Sequence, residues 1–345
     1  MRCERLSGEG KLICKVCGAA DGHNSYILRE MMFGYRDQFE YFECRECGCL
    51  QIKDIPPNLH KYYPSNYCAF QPPQVAVQRE REFVGWRERF VLKQAYKYYL
   101  NRNYLLGRFF KERHKIPPPE NWPHWLKYSG VNLKLDFKSR VLDVGCGSGR
   151  DLLLLRALGF SSLLGVDPYI EEDIHYESGV RVEKKHLCDL KVAKPFDLIM
   201  MHHSFEHMPE PVKVMMDVRK LLKKGGILLV RVPVMGSYAW KKYKTNWVQL
   251  DPPRHLFLYS VKSMIVLASR MGFKLIATLY DSTSFQFWGS EQYLRDIPLF
   301  DERSWGVNPE RAVFVASQIE EWEREAIRLN EMGLGDQACF YLQKQ

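Results

Sequence analysis

No stretch of 18 or more uncharged apolar residues occurs anywhere in this 345-residue chain, so no segment reads as a membrane span. The opening Met1-Arg2-Cys3-Glu4-Arg5 lacks the apolar core of a secretion signal, and the expectation is a cytoplasmic, reducing location. Internal repeats and low-complexity tracts are also missing. Cysteine is sparse past the first fifth of the chain. Seven of the ten cysteines lie in the first 68 residues, and this crowding speaks for a site rather than a disulfide framework. At 46% hydrophobic residues the chain can bury a full α/β core and has material left for a second, smaller unit.

Val141-Leu-Asp-Val-Gly-Cys-Gly-Ser-Gly-Arg150 carries the strongest signal. Val141, Leu142 and Val144 suit a buried parallel strand, Gly145, Gly147 and Gly149 permit a tight turn, and Leu152 to Leu158 supplies a helix. Arg150 stands where the dinucleotide fingerprint needs Gly or Ala, which weakens that reading of the loop. A second strand, Leu163 to Val166, ends in Asp167, 24 residues after Asp143, where a carboxylate can accept both hydroxyls of a ribose. His186-Leu-Cys-Asp-Leu190 reads as a third strand end and Phe196 to His203 as a fourth strand. Strand ends on one edge form a ligand crevice.

These strand ends, in order and spacing, resemble class I S-adenosylmethionine-dependent methyltransferases over roughly Leu135 to Thr283. The resemblance implies an α/β fold with a Rossmann-like sheet, helices on both faces, and S-adenosyl-L-methionine as cofactor. It assigns Asp143 and the loop Gly145, Cys146, Gly147, Ser148 and Gly149 to the methionine half, Asp167 to the ribose and Asp189 to the adenine amino group. Pro168, Leu190 and His202 complete the cofactor set. Asp167 also suits a helix N-cap with Pro168 at the first helical position, and both roles can hold together. The plainer reading of Asp189 is an exposed loop carboxylate.

The crowded cysteines include Cys14-Lys-Val-Cys17-Gly18 and Cys44-Arg-Glu-Cys47-Gly48, two knuckles separated by 26 residues. Each can offer two thiolates to one tetrahedral ion, which reads as a structural Zn2+ ribbon held by Cys14, Cys17, Cys44 and Cys47. Glycine after each knuckle lets the backbone turn toward the sulfurs, and Tyr41-Phe-Glu43 looks like a strand leading in. A redox dithiol or free thiols are the competing readings. Cys3 and Cys49 stay outside the ligand set. The lobe ends near Gln71-Pro-Pro-Gln74, and metal loss is expected to unfold it while sparing a cofactor site built on a different core. Before the linker, Tyr62-Tyr-Pro-Ser-Asn-Tyr67 either packs the lobe or offers phenols to a polar ring substrate.

Positive charge is local. Arg79 to Lys115 holds 11 Lys or Arg against 4 Glu, a net +7 of the chain's +9, interleaved with aromatics at helical spacing. A solvated face on amphipathic helices, an anionic substrate, and RNA or a membrane surface compete to explain it. After the fourth strand, His202-His-Ser-Phe-Glu-His-Met-Pro-Glu-Pro211 provides imidazoles and a carboxylate able to bind and deprotonate a nucleophile. His203 is the preferred base, with His207 and His255 as alternatives. The other reading has Glu206 and His207 holding the loop. Asp251-Pro-Pro253 follows the fourth strand too distantly to be the motif of amino-methylating nucleic-acid enzymes. Trp247, Arg254, His255 and Tyr259 read either as a lid over the methyl group or as a packed loop.

The combined motifs resemble a bacterial subgroup of these methyltransferases associated with sugar and surface-polysaccharide biosynthesis, part of which resembles sugar C-methyltransferases with a similar zinc lobe. Only about sixty residues follow Thr283, too few for the further α/β domain of those enzymes, so oxygen methylation stands beside carbon methylation. The expected organisation is a zinc-ribbon-like lobe over 1–74, a basic aromatic helical segment over 75–130, the methyltransferase domain over 131–290 and a C-terminal helical extension over 291–345. Expected partners are a small-molecule or glycan substrate, with peripheral membrane contact allowed and nucleic acid disfavoured. RNA methylation, with the zinc lobe and basic helices as grip, is one alternative, and cofactor binding without catalysis is another.

Overall fold

The alternation in Val141-Leu142-Asp143-Val144 becomes a strand whose side chains enter two apolar clusters, one on each face of a sheet. The computed structural model describes residues 12–64, 86–100, 104–117, 123–127 and 133–345. Among these the strands are β1 (Asn24–Arg29), β2 (Gln38–Glu43), β3 (Leu50–Ile52), β4 (Arg140–Val144), β5 (Ser162–Val166), β6 (Ile174–His175), β7 (Arg181–Glu183), β8 (Phe196–His202), β9 (Leu222–Met235), β10 (Phe257–Ser260), β11 (Phe273–Tyr280) and β12 (Gln337–Lys344).

The central order is β7-β5-β4-β8-β9, all parallel, continued by β12 and then β11. β12 runs antiparallel to both of its neighbours. After β4 the chain moves to β5 on one side and later returns to β8 on the other. The crevice outside the carboxyl ends of β4 and β8 is therefore the topological switch point, where open α/β sheets bind ligands. Val141, Leu198, Met200, Leu229 and Tyr341 fill one face, while Leu142, Ile199, Met201, Leu228 and Val230 fill the other. Strands buried on both faces must read as near-continuous apolar runs, as β8 and β9 do.

Helix Arg150–Leu158 follows the glycine loop, and the described helical part of the basic segment forms Trp86–Leu100 and Leu105–Arg113. Phe83, the linker at 71–74 and residues 65–67 of the tyrosine patch lie outside the described residues. No described helix is long and apolar enough to cross a membrane.

Three expectations change. The terminal 291–345 is not only helical: helix Ala316–Glu331 leads into β12, whose buried Ala338, Phe340 and Leu342 on one face and Cys339 and Tyr341 on the other complete the sheet. The third strand ends at Glu183, because Lys184-Lys-His186 is too polar to continue a buried strand, and Leu187–Asp189 is a single 3-10 turn. The cysteine lobe does not have its own core. β3 pairs antiparallel with β10, β10 pairs parallel with β9, and Val16, Leu28, Tyr41 and Leu50 belong to the same apolar cluster as Leu142 and Val230.

Candidate functional site

Gly145 begins the loop at φ 70°, and a Cβ there would lie 2.5 Å from Cβ of Ser204. Ser204 cannot retreat freely, because its hydroxyl donates to Val144 O at 2.7 Å and ties the ends of β4 and β8 together. Gly149, at φ 82°, would place a Cβ 2.9 Å from Val182. Glycine is thus required at both ends of the turn. Between them, Gly147 N–H donates to Asp167 Oδ2 at 2.8 Å, and Tyr169 N–H donates to Oδ1 at 2.9 Å. The Asp167 carboxylate, 6% exposed, is oriented by two backbone amides, and each oxygen keeps a lone pair for a further donor. The contact with Tyr169 is that of a turn and not of a helix N-cap, since Pro168-Tyr169-Ile170 forms a turn and no helix stands between β5 and β6.

Asp143 is buried at the end of β4. Burial, then the charges of Asp151 and Asp167, push its carboxyl well above the usual range. A ligand bringing a cationic sulfonium and ammonium to this loop would relieve that repulsion, so these residues fit S-adenosylmethionine. Cys146 lies inside the loop with its thiol pushed up by burial, and Ser148 O accepts from Tyr176 Oη at 2.5 Å. His202 closes β8, its buried Nε2 without a hydrogen bond among the described residues and its ring 5.5 Å from that of Trp125. Burial lowers its pKa to about 4. Pro168 follows Asp167, Leu190 is buried, and Asp189 is exposed in the turn after β7.

The chain leaves β8 through His203 at φ 49°, and a 3-10 turn over Phe205–His207 follows. His203 Nε2 lies 3.0 Å from Arg231 Nη1, which can only donate, and Nδ1 lies 3.4 Å from Glu206 Oε1. Arg231 takes the lone pair of Nε2, which leaves the proton of the neutral ring on Nδ1, so the preferred base has no lone pair to spare. His207 and His255 differ. His207 Nδ1 meets Arg254 O at 2.8 Å and His255 Nδ1 meets Gln249 O at 2.8 Å. A carbonyl only accepts, so Nδ1 carries the proton in each ring and, in the neutral form, Nε2 carries the lone pair. The two rings lie 4.8 Å apart, centroid to centroid, and His255 Nε2 is 3.9 Å from Glu206 Oε1. Burial, then the neighbouring His207, lowers the His255 pKa to about 4. Glu206 is 0% exposed, and among the described residues neither of its carboxylate oxygens accepts a hydrogen bond. Burial would raise its pKa, but the His203 contact and the surrounding imidazoles prevail and hold it at about 2. Tyr63 adds its hydroxyl 3.2 Å from His207 Nδ1.

Arg231 was not singled out in the sequence. An arginine inside the apolar run Ile227-Leu-Leu-Val-Arg-Val232 is the signal that could have found it, because a charge in a central strand needs a partner. It has Asp281, at 2.6 Å from Nε. The lid reading gives way to the packed loop. Trp247 is buried and donates to Asp336 Oδ2 at 2.9 Å, Tyr259 stacks on Phe205 at 5.0 Å, and Arg254 is enclosed by Asp251 and Glu30. Of that set, His255 brings its ring to the imidazole–carboxylate group at the end of β8, and Arg254 reaches the group through its carbonyl, which accepts from His207 Nδ1.

The four knuckle cysteines come together, with Cys14 and Cys47 sulfurs 3.6 Å apart and Cys17 and Cys44 sulfurs 3.5 Å apart. A tetrahedron with metal–sulfur arms of about 2.3 Å has edges of about 3.8 Å, so the donor set fits zinc. Gly18 and Gly48 have φ 86° and 70°, and Gln51 Nε2 donates to Cys14 Sγ at 3.1 Å. The thiol of Cys49 is directed to Leu50 O instead. Cys3 lies outside the described residues.

A tRNA U34 carboxymethyltransferase from Alteromonas mediterranea is 23% identical over 210 residues, 52% of this chain and 60% of its own length. A ubiquinone biosynthesis O-methyltransferase from Pseudomonas putida is 29% identical over 126 residues, 34% of this chain and 51% of its own. The chain thus spans between half and two thirds of the length of these curated relatives. A solved SAM-dependent methyltransferase from Archaeoglobus fulgidus is similar with 19% identity and a TM-score of 0.36, covering 60% of this chain and 86% of that one. The family model described as a methyltransferase domain matches residues 94–278, the span that holds the glycine loop, Asp167 and the end of β8. The chain belongs to this methyltransferase-domain family, with the α/β fold of class I S-adenosylmethionine-dependent methyltransferases.

Proposed function

We propose that this chain transfers the methyl group of S-adenosylmethionine to a hydroxyl of a saccharide or glycolipid, in sugar or surface-polysaccharide biosynthesis. The observation that carries an oxygen acceptor is the group at the end of β8. His207 and His255 have their Nδ1 protons locked onto backbone carbonyls, and beside them lies the Glu206 carboxylate, which accepts no hydrogen bond from the described residues. Transfer from a sulfonium needs little acid chemistry, whereas a hydroxyl nucleophile needs its proton drawn away. The ubiquinone O-methyltransferase relative supports an oxygen acceptor. On this reading Asp143 and Gly145 to Gly149 hold the methionine half, Asp167 the ribose and Asp189 the adenine, and the four thiolates hold one structural zinc. A cytoplasmic location, with at most peripheral membrane contact, belongs to the same proposal.

Two outcomes test it. Replacing Asp167 by Ala removes an acceptor pre-aligned by two amides and should weaken S-adenosylmethionine and S-adenosylhomocysteine by about 1.5 to 3 kcal/mol, roughly ten- to 150-fold. Calorimetry on both proteins checks this, and unchanged affinity removes Asp167 from the site. Replacing His255 or His207 by Ala should lower turnover about a hundredfold or more while leaving cofactor affinity nearly unchanged. The assay presents nucleotide sugars, glycolipids and RNA to a radiolabelled methyl donor, then repeats the best acceptor with each variant. Full activity in both variants sinks the imidazole role.

RNA is the second reading, favoured by the tRNA U34 carboxymethyltransferase relative and by the lysines and arginines on helices Trp86–Leu100 and Leu105–Arg113. Transfer confined to RNA, with binding that falls steeply with salt, selects it over the saccharide.

A further inference from the structure

We infer that Glu206, His207 and His255 form a binding site for one first-row divalent cation, separate from the cysteine cluster. A donor atom from each lies within 4.8 Å of the other two. Metal–ligand arms of about 2.1 Å reach donors up to about 4.2 Å apart, so small side-chain rotations close the set on an ion.

Two independent observations point to a ligand. The first is Glu206: a fully buried carboxylate whose two oxygens accept no hydrogen bond from the described residues is costly unless a cation meets it. His203 Nδ1, at 3.4 Å, is near enough to attract the charge but does not hydrogen-bond to it. The second is the way the imidazoles are held. Each donates its Nδ1 proton to a backbone carbonyl, His207 to Arg254 O and His255 to Gln249 O, both at 2.8 Å. That outer contact fixes the tautomer and frees Nε2 as donor, the arrangement that supports metal-bound histidines. Asp251 is not a ligand here: its Oδ2 lies 3.9 Å from His255 Nε2, but its carboxylate is taken by Arg254. Two imidazoles and one carboxylate suit Mn2+, Fe2+, Co2+ or Zn2+ and leave positions open for an exogenous oxygen.

The cation deepens the acceptor reading and rests on it for its role, though not for its binding. A hydroxyl on an open position of the ion loses its proton more readily, so the imidazoles would act as ligands rather than as the proton's destination. The proton leaves to solvent through the part-exposed His207 side of the group.

Mn2+ is the probe, because thiolate clusters bind it poorly and its aqueous paramagnetic signal disappears on binding. Titrated into the full chain with its cysteine-bound metal in place, wild type should take up one Mn2+. Glu206→Gln and His255→Gln should each weaken that uptake at least tenfold, with S-adenosylmethionine affinity and circular dichroism reporting that the variants are folded. Uptake of no Mn2+, and of no Co2+ or Zn2+ beyond the cysteine site, overturns the proposal, as does equal uptake by a folded Glu206→Gln. Methyl transfer by protein proven free of metal at this site, but lost in His255→Ala, overturns the cation's part in the reaction and keeps the acceptor reading. Mn2+ uptake lost in Glu206→Gln, with no hydroxyl acceptor ever methylated, upholds the cation and defeats the acceptor reading.

Discussion

Cys44→Ser is expected to lower the stability of the whole chain, not of a detachable lobe. Structural zinc contributes about 10 to 16 kcal/mol in small zinc-dependent folds, and losing one of four ligands forfeits a large part of that. Here the loss has a direct route into the main core. The lobe's Val16, Leu28, Tyr41 and Leu50 share one apolar cluster with Leu142 and Val230 of the central sheet. Leu258↔Leu50 and Phe257↔Gln51 join β10 to β3, Ser260 Oγ donates to Cys47 O at 2.6 Å, and Arg270 Nη1 donates to Val16 O. Tyr41 Oη donates to His255 O at 2.8 Å, so damage reaches the imidazole group before the glycine loop. A drop in melting temperature of about 10 °C or more in a single transition should result, since 1 kcal/mol shifts a domain of this size by roughly 2 to 4 °C. Elemental analysis paired with thermal unfolding checks it. Retained stoichiometric zinc, or a zinc-free variant melting like wild type, would refute the assignment, and an early transition confined to the lobe would refute the shared core.

What could be read from the sequence was local. β4, the glycine loop and Asp167 are close in the chain, and each residue type there answers to a nearby constraint: apolar runs for strands buried on both faces, glycine where φ is positive, a carboxylate at a strand end. The two knuckles were legible for the same reason. What escaped is long-range. β12 reveals itself as a sheet strand only through its pairing with β9, more than a hundred residues earlier. Trp247 and Arg254 resemble an exposed binding face until Asp336, 89 residues on, and Glu30, 224 residues back, are seen to satisfy them. His203 looked the best base by position, and Arg231, 28 residues later, takes its second nitrogen. Periodicity and spacing report which face a residue occupies, while hydrogen-bond partners depend on folding.

Arg254→Met should be among the most destabilising single changes in the chain, because it strips the cation from a dry ionic cluster and leaves the anions behind. The guanidinium is 0% exposed. It bonds Asp251 through Nε at 2.9 and 3.1 Å and through Nη2 at 2.5 Å, Glu30 Oε1 at 2.8 Å, and Tyr62 O at 3.0 Å. Its face lies 5.2 Å from the Phe33 ring. Removing one partner of a buried pair costs about 3 to 5 kcal/mol, which corresponds to a melting drop of about 10 °C. The two carboxylates are not equally exposed to the loss. Glu30 keeps the amides of Phe33 and Tyr35 at 3.0 and 2.9 Å, whereas among the described residues Asp251 has no remaining hydrogen-bond donor to its side chain, His255 Nε2 being 3.9 Å away. Adding Asp251→Asn to Arg254→Met should therefore recover more stability than adding Glu30→Gln, a difference that thermal unfolding of the two double variants resolves. Equal recovery would place the uncompensated charge elsewhere, and a melting change below about 1 °C in Arg254→Met would dismiss the cluster as an energetic keystone. The loop it anchors supplies Arg254 O to His207 and follows Gln249 O, which holds His255. Turnover should then fall with stability in Arg254→Met and return with it in the Asp251→Asn double variant, linking the buried cluster to the chemistry at the end of β8.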